Sequence, residues 1–468
     1  MKNSNLTDTK KDYILTVIAL ALSIFFVRFD AYIVNLAMPT FINVFKISVS
    51  QASWIALSYV LSQISAVMLF GKLCSQFKLK NIYLLGMIIF TISSFLCGIS
   101  PNFWSLIVFR SVQGIGGSMM LVSAYAAILL YLPHEKVGWG LSIMTTSAAL
   151  GVLLGPVAGG LIISHFSWPW IFLINLPAGI IAIIFCHKII PDVAGPEKTP
   201  GQGLDITGLM LSATGLFLLV YTLNMGCEHG WVSPIILACE LFFIISFVAF
   251  FAVERKSKNP LLDMSLFSKR AFAVVLLSTI MGFLMFFGGN FLLPFYLTQQ
   301  GLSPEQIGFL LMVFSVVYIP IGLYAGRLSG KLPSNKISAF AMFFASITGF
   351  VFAADFGTGL VGVVIYLIML AASYGMFFVP INHCIMSFAS DVNRGSVSAL
   401  FNTVMSIAMA MGIAVMETIY SEFKVPVDGF RTAFFAGGVF CFIASVMLML
   451  FSGENPISAH KGSPPSRT

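Results

Sequence analysis

Charge is scarce in this sequence. Asp, Glu, Lys and Arg make up only 9% of its residues, against about 25% in an ordinary soluble domain, so a water-facing shell of normal composition cannot be assembled. Polar stretches of domain length are missing as well. The longest breaks between apolar runs, Lys188 to Leu204 and Glu254 to Arg270, fall far short of the roughly 50 residues that a folded soluble domain needs. That excludes an appended nucleotide-binding or catalytic domain. Gly326-Arg-Leu-Ser-Gly330-Lys331-Leu332 has the wrong spacing for a Walker loop and lacks the Ser or Thr that would hold magnesium. No His-Glu-x-x-His or Gly-x-Ser-x-Gly occurs, the six His are dispersed, and the seven Cys stand singly without a Cys-x-x-Cys pair. Neither a hydrolytic site, a metal cluster nor a disulfide framework is expected. The chain reads as no enzyme, and it needs no cofactor beyond a proton gradient as energy source.

Apolar sequence takes the place of all this. Hydrophobic residues account for 58% of the chain, and the mean hydropathy is +0.96. Only lipid rewards so much apolar surface, at roughly 20 residues per helical crossing. Apolar runs centre near residues 25, 60, 90, 117, 151, 178, 214, 243, 284, 313, 346, 370, 408 and 441, which predicts fourteen spans. The expected fold class is an all-α membrane protein: two six-helix bundles with two further helices inserted between them. The boundaries follow from the polar breaks, with one bundle over 1–187, a linker and the inserted pair over 188–270, a second bundle over 271–452, and a disordered cytoplasmic tail over 453–468. Two bundles that rock about a central site are one solution to alternating access.

Lys10 and Lys11 before the first run resemble the start of a signal peptide. Arg28 and Asp30 inside the run, with no small-residue cleavage site, favour a retained helix. With the N-terminus inside, only Lys46, Lys424 and Arg431 among the 25 basic residues fall on the outer side, the bias of the positive-inside rule. Both termini are therefore placed in the cytoplasm, in the cell (inner) membrane. The net charge of +7 is a product of topology, so the expected partners are a small-molecule substrate, protons and the lipid bilayer, and no nucleic acid.

A charge inside a span costs roughly 2.5 to 3.5 kcal/mol on insertion scales and must face protein or water. Arg28 and Asp30 meet this condition in the first span, about 200° apart around the helix, so each needs its own partner. An intramembrane carboxylate is a natural proton carrier, which singles out Asp30. In the fourth span Arg110, Gln113, Gly114 and Gly117 form one stripe, suited to a cavity wall or a close helix contact. In the fifth, Gly151, Gly155 and Gly159 line a bare face, and Pro156 beside them, with Gly160, lets the helix pack closely and bend. Glu417 is a further candidate proton site because it lies within an apolar run of the second bundle. Phe25, Tyr32, Phe287, Phe291, Tyr318 and Tyr374, together with Arg28 and Gln113, are candidates to line a substrate cavity. Gly71-Lys-Leu73-Cys-Ser75-Gln-Phe-Lys78-Leu-Lys80 follows the second span on the inner side, and its Gly-x-Leu start is weakly echoed after the tenth span by Gly326-Arg-Leu328.

These stretches resemble one family. Phe29-Asp30-Ala-Tyr-Ile-Val-Asn35-Leu-Ala-Met-Pro39, Arg110-Ser-Val-Gln113-Gly114, Gly151 to Gly160, Trp168-Pro-Trp170 to Pro177 and Phe291-Leu-Leu-Pro294 are similar to motifs of the major facilitator superfamily, in particular its fourteen-helix drug:proton antiporters of the EmrB/QacA type. The resemblance implies proton coupling through Asp30 and Arg110, an antiporter motif over Gly151–Gly160, a cytoplasmic gate loop with Gly71, Leu73, Ser75, Lys78 and Lys80, and a periplasmic adaptor protein if the source is Gram-negative. Two departures stand out: Ser75 occupies an acidic position of the gate loop, and Arg28 an apolar one. The expected function is proton-coupled export of small lipophilic compounds. The alternatives are transport of one endogenous metabolite or organic anion, which Arg28 motivates, and a non-transporting membrane sensor.

Overall fold

A computed structural model describes residues 10–74, 77–191, 206–256, 269–354, 359–388 and 394–450. Ser75 and the expected tail over 453–468 lie outside the described residues, as does much of the linker between the sixth and seventh spans. The described elements are all helices: α1 Lys10–Phe45, α2 Val49–Leu73, α3 Leu79–Gly98, α4 Phe103–Tyr131, α5 His134–His165, α6 Trp170–Leu173, α7 Asn175–Ile189, α8 Ile206–His229, α9 Pro234–Lys256, α10 Arg270–Gln299, α11 Pro304–Ser329, α12 Ser334–Ala354, α13 Leu360–Met386, α14 Arg394–Ser421 and α15 Pro426–Leu450. In lipid every backbone amide must be satisfied within its own segment, which is why each apolar run closes on itself as a helix.

Among the described residues, thirteen spans are long and apolar enough to cross a membrane, and α8 supplies a shorter apolar stretch, Met210–Gly226. This is the fold expected above, a multi-pass membrane protein with fourteen helical spans. α1 to α7 supply six of them, α8 and α9 the inserted pair, and α10 to α15 the last six. One span departs from a simple rod: the sixth is divided into α6 and α7, next to Pro169 and Pro177, residues that interrupt helical hydrogen bonding.

The chain forms two compact units. The first comprises Met1–Leu219, Glu240–Val253 and Leu293–Met312; the second comprises Val220–Cys239, Glu254–Leu292 and Val313–Thr468. In the first, α1 packs along α5, and α4 packs along α2 and α3. A Cβ on Gly86 would lie 2.9 Å from the Gly116 carbonyl, so α3 and α4 meet backbone to backbone. In the second, α12 packs on α15 and α13. Gly349 faces the Gly438 Cα at 2.9 Å from its would-be Cβ, and Gly412 faces the Leu284 carbonyl at 2.8 Å, which joins α14 to α10. Small residues at the contacts are what helices in lipid use, because association there depends on close packing and not on the hydrophobic effect.

Two corners repeat one another. Before α2, Lys46 adopts a left-handed conformation with φ 53°, and Ile47 N–H donates to the Ile42 carbonyl at 3.3 Å. Ser48 and Gln51 then cap one another reciprocally, at 3.0 and 3.1 Å. Before α11, Gly301 has φ 81° and Leu302 N–H donates to the Leu297 carbonyl at 3.3 Å. There Ser303 and Gln306 cap one another at 3.3 and 2.9 Å. Each corner is a Schellman stop followed at once by a capping box, and each stands between the first and second spans of its six-helix set. The shared turn is stronger evidence of internal duplication than the Gly-x-Leu echo in the sequence.

Candidate functional site: a buried carboxylate in the first unit

Asp30 sits at the middle of α1, with its side chain wholly inaccessible to solvent. An ionised carboxylate at such a place is tolerable only if paired and hydrogen-bonded. Three donors meet it. Arg110 Nη1 lies 2.5 Å from Oδ2 as an ion pair, while Gln113 Nε2 at 2.9 Å and Asn175 Nδ2 at 3.1 Å donate to Oδ1. Arg110 and Gln113 come from α4, where their i, i+3 spacing puts both on the face turned to α1. Asn175 is the first residue of α7, so the break in the sixth span brings an amide into the core.

The donors are themselves held. Arg110 Nη1 also donates to Gln113 Oε1 at 2.6 Å, and Arg110 Nε donates to the Ile55 carbonyl of α2 at 3.2 Å. The guanidinium lies 4.3 Å from the centroid of the Tyr59 ring and 5.8 Å from that of Phe172, two aromatic faces that favour a cation. Gln113 Nε2 donates to Ser94 Oγ of α3 at 2.7 Å. Side chains or carbonyls of six helices, α1, α2, α3, α4, α6 and α7, thus converge on one carboxylate–guanidinium pair. Gly114 makes this possible, since a Cβ there would collide with the Tyr59 carbonyl and Ser62 Oγ of α2.

Arg28 behaves differently. It is half-buried, and it has no hydrogen bond or ion pair among the described residues. The half-exposed stripe of α1 carries Phe25, Arg28 and Tyr32, one turn apart in succession, while Asp30 points into the core. The expectation that Arg28 and Asp30 each need a partner is met for Asp30 alone.

The glycines of α5 divide into two faces. A Cβ at Gly151 would lie 2.9 Å from Arg28 Cβ, at Gly155 2.9 Å from Tyr32 Cβ, and at Gly159 3.0 Å from Ile33 Cγ1, all on α1. Gly160 instead meets the backbone of Pro304 and Glu305, and Pro156 offers its carbonyl to Gly308, so the other face of α5 abuts the start of α11. Glu305 N–H donates to Ser164 Oγ at 3.1 Å, and His165 Nε2 lies 3.4 Å from Glu305 Oε2 at the same seam.

Several other candidates take places that the sequence did not reveal. Gln113, expected at a cavity wall, is fully buried and belongs to the Asp30 network. Phe287, Phe291 and Tyr374 are core side chains as well; the Tyr374 hydroxyl donates to the Gly282 carbonyl at 2.5 Å. In this structure they are packed among other side chains. Tyr318 stays half-buried and joins Phe287 and Tyr374 in an aromatic cluster through Phe314 and Phe286, whose centroids are 5.5 Å apart. Glu417 is wholly buried in the second unit, where Asn224 Nδ2 of α8 donates to it at 2.9 Å and the Ser421 hydroxyl at 2.6 Å. Of the gate loop, Gly71 and Lys78 are exposed, Leu73 and Lys80 half-buried, and Ser75 is outside the described residues. No cluster of three or more metal-ligating side chains occurs among the described residues.

Asn175, Ser94 and Asn224 were missed as site residues. Asn175 stood within the quoted Trp168 to Pro177 stretch, and its polarity inside an apolar run was the available signal.

Comparison with known proteins agrees with this architecture. The family model described as Major Facilitator Superfamily matches residues 20–413. The riboflavin transporter RibZ of Clostridioides difficile is 29% identical over 455 residues, covering 93% of this chain and 97% of that protein. The multidrug export protein EmrB of Haemophilus influenzae is 28% identical over 410 residues, covering 85% and 79%. Among solved structures, a bacterial homologue of the human lysosomal transporter Spinster, inward-facing and unoccupied, superposes with a TM-score of 0.69 at 16% identity, covering 95% of this chain and 98% of that one. The chain belongs to the major facilitator superfamily of membrane transporters.

Proposed function

We propose that this transporter exports small lipophilic compounds across the cell membrane in exchange for protons, with Asp30 as the proton carrier. The observation that carries this reading is the Asp30–Arg110 pair, buried and held by donors from α4 and α7. A carboxylate separated from its counter-ion in apolar surroundings is more stable neutral than charged. Any motion that draws α4 or α7 away from α1 would therefore load a proton onto Asp30, and the return of Arg110 would expel it. No cofactor is required. Glu417, with Asn224 and Ser421 around it, is a candidate second proton site.

The orientation that the basic residues favour puts both termini in the cytoplasm, which places the seam between α5 and α11 on the outer side of the membrane. Parting of that seam is the opening step of alternating access in this reading. The likeness to EmrB supports drug export, with an adaptor protein as a partner where the cell has a second membrane. Reconstituted liposomes with an imposed pH gradient test the proposal. Efflux of lipophilic dyes should follow the gradient, and Asp30→Asn should abolish the gradient-driven part. Undiminished gradient-driven export by that variant removes Asp30 from the mechanism.

A second reading is transport of one metabolite. It is favoured by the likeness to RibZ over nearly the whole chain. Radiolabelled riboflavin taken up by the same liposomes, and not competed by lipophilic dyes, would select it.

A further inference from the structure

Within α1 to α7, away from the terminal turns of each helix, three ionisable Asp, Glu, Lys or Arg side chains lie inside the spans: Arg28, Asp30 and Arg110. Asp30 and Arg110 neutralise each other. Arg28 remains as a surplus positive charge, and it has neither an ion pair nor a hydrogen bond among the described residues. Asp30 cannot serve it, because its oxygens already accept from Arg110, Gln113 and Asn175 and it points to another side of the helix.

The base of this side chain is fixed in place. Gly151 of α5 brings backbone so close that even a Cβ would lie 2.9 Å from Arg28 Cβ. One turn before Arg28 on the same half-exposed stripe is Phe25, stacked on Phe29 with centroids 5.4 Å apart; one turn after it is Tyr32. A guanidinium on the same stripe as two aromatic side chains offers paired N–H donors to a carboxylate, sulfonate or phosphate, with flat apolar side chains one turn away on either side. An unpaired intramembrane cation on an accessible stripe is costly unless a ligand completes it.

We propose that Phe25, Arg28 and Tyr32 form a substrate subsite for planar aromatic compounds carrying a negative charge. The proposal rests on the transporter reading above only in assuming that small molecules reach the stripe; it is independent of proton coupling.

Calorimetric titration of the purified full-length protein in detergent tests it, with three probes on one ring system: 2-naphthoate, 2-naphthol and 2-naphthylmethylammonium. The wild type should bind 2-naphthoate about tenfold or more tightly than either of the others, the size expected of a charge-assisted hydrogen bond. Arg28→Gln should abolish this preference, Arg28→Lys should retain part of it, and Tyr32→Ala should weaken all three probes together. Gel filtration and thermal stability of each variant guard against misfolding, and Arg28→Lys supplies the comparison should Arg28→Gln fail to fold. Equal affinity for the three probes, no binding of any of them, or a preference that survives loss of the guanidinium overturns the proposal. Binding needs no gradient, so a negative result here leaves proton coupling standing, and a failed pH-gradient assay leaves this result standing.

Discussion

Asp30 and Arg110 are worth more as a pair than either is alone. Removing one partner of a buried ion pair typically costs about 3–5 kcal/mol, because the other is left charged in apolar surroundings. Arg110→Gln should therefore lower the apparent Tm in detergent sharply, whereas the double variant Asp30→Asn/Arg110→Gln should recover much of the loss. A thermal-unfolding double-mutant cycle reads this directly. Lys46 gives a gentler test. It sits in the left-handed region, where Gly301 stands in the matching corner, so Lys46→Gly should stabilise by up to about 1 kcal/mol and Gly301→Lys should do the reverse. Cys74 lies just past α2, where burial pushes its thiol up to about 12. It should stay protonated and unlabelled by maleimide at pH 7.5 until the protein is denatured, as intact mass would report. The sequence disclosed Asp30, Arg110 and Gln113 as candidates because a polar group inside an apolar run is conspicuous. That they meet across 80 and 83 residues of chain was not legible, since periodicity places a residue on a face but does not name the helix opposite.

Helices were the most readable feature, because each one satisfies its own backbone and advertises itself locally as an apolar run. Their pairing was readable only where side chains are absent. The three glycines of α5 at four-residue spacing announced a close contact, and α1 fills it; Gly160, next to Gly159 in sequence, turns instead to α11. Two glycines can be set against each other to measure such contacts. Gly412→Ala puts a methyl 2.8 Å from the Leu284 carbonyl, whereas a Cβ at Gly138 meets nothing within 4 Å. The first should destabilise by about 1–3 kcal/mol through overpacking, and the second should be neutral or slightly stabilising through helix propensity. Chemical denaturation of the two variants in mixed micelles would separate them. The division of the sixth span was not read from the sequence, although Pro169 and Pro177 flank it, because hydropathy averages across a break of one residue.

The inserted pair shows where sequence reading stops. Composition separates α8 and α9 from the two sets of six but says nothing of what they are for. In the second unit α8 reaches the buried Glu417 through Asn224, and its Leu223 carbonyl accepts from the Thr418 hydroxyl at 2.5 Å. Asn224→Leu should thus cost about 1–3 kcal/mol by leaving a buried carboxylate short of a donor, visible as a lower apparent Tm that Glu417→Gln partly restores.

The seam between α5 and α11 has a thermal consequence. Main chain abutting main chain at Gly160 and Gly308 freezes few rotamers when it forms and frees few when it parts. Cooling or warming should then change the rate of opening mainly through lost dispersion contact, so an Arrhenius plot of solute exchange limited by this junction should be close to straight across the range in which the lipid stays fluid.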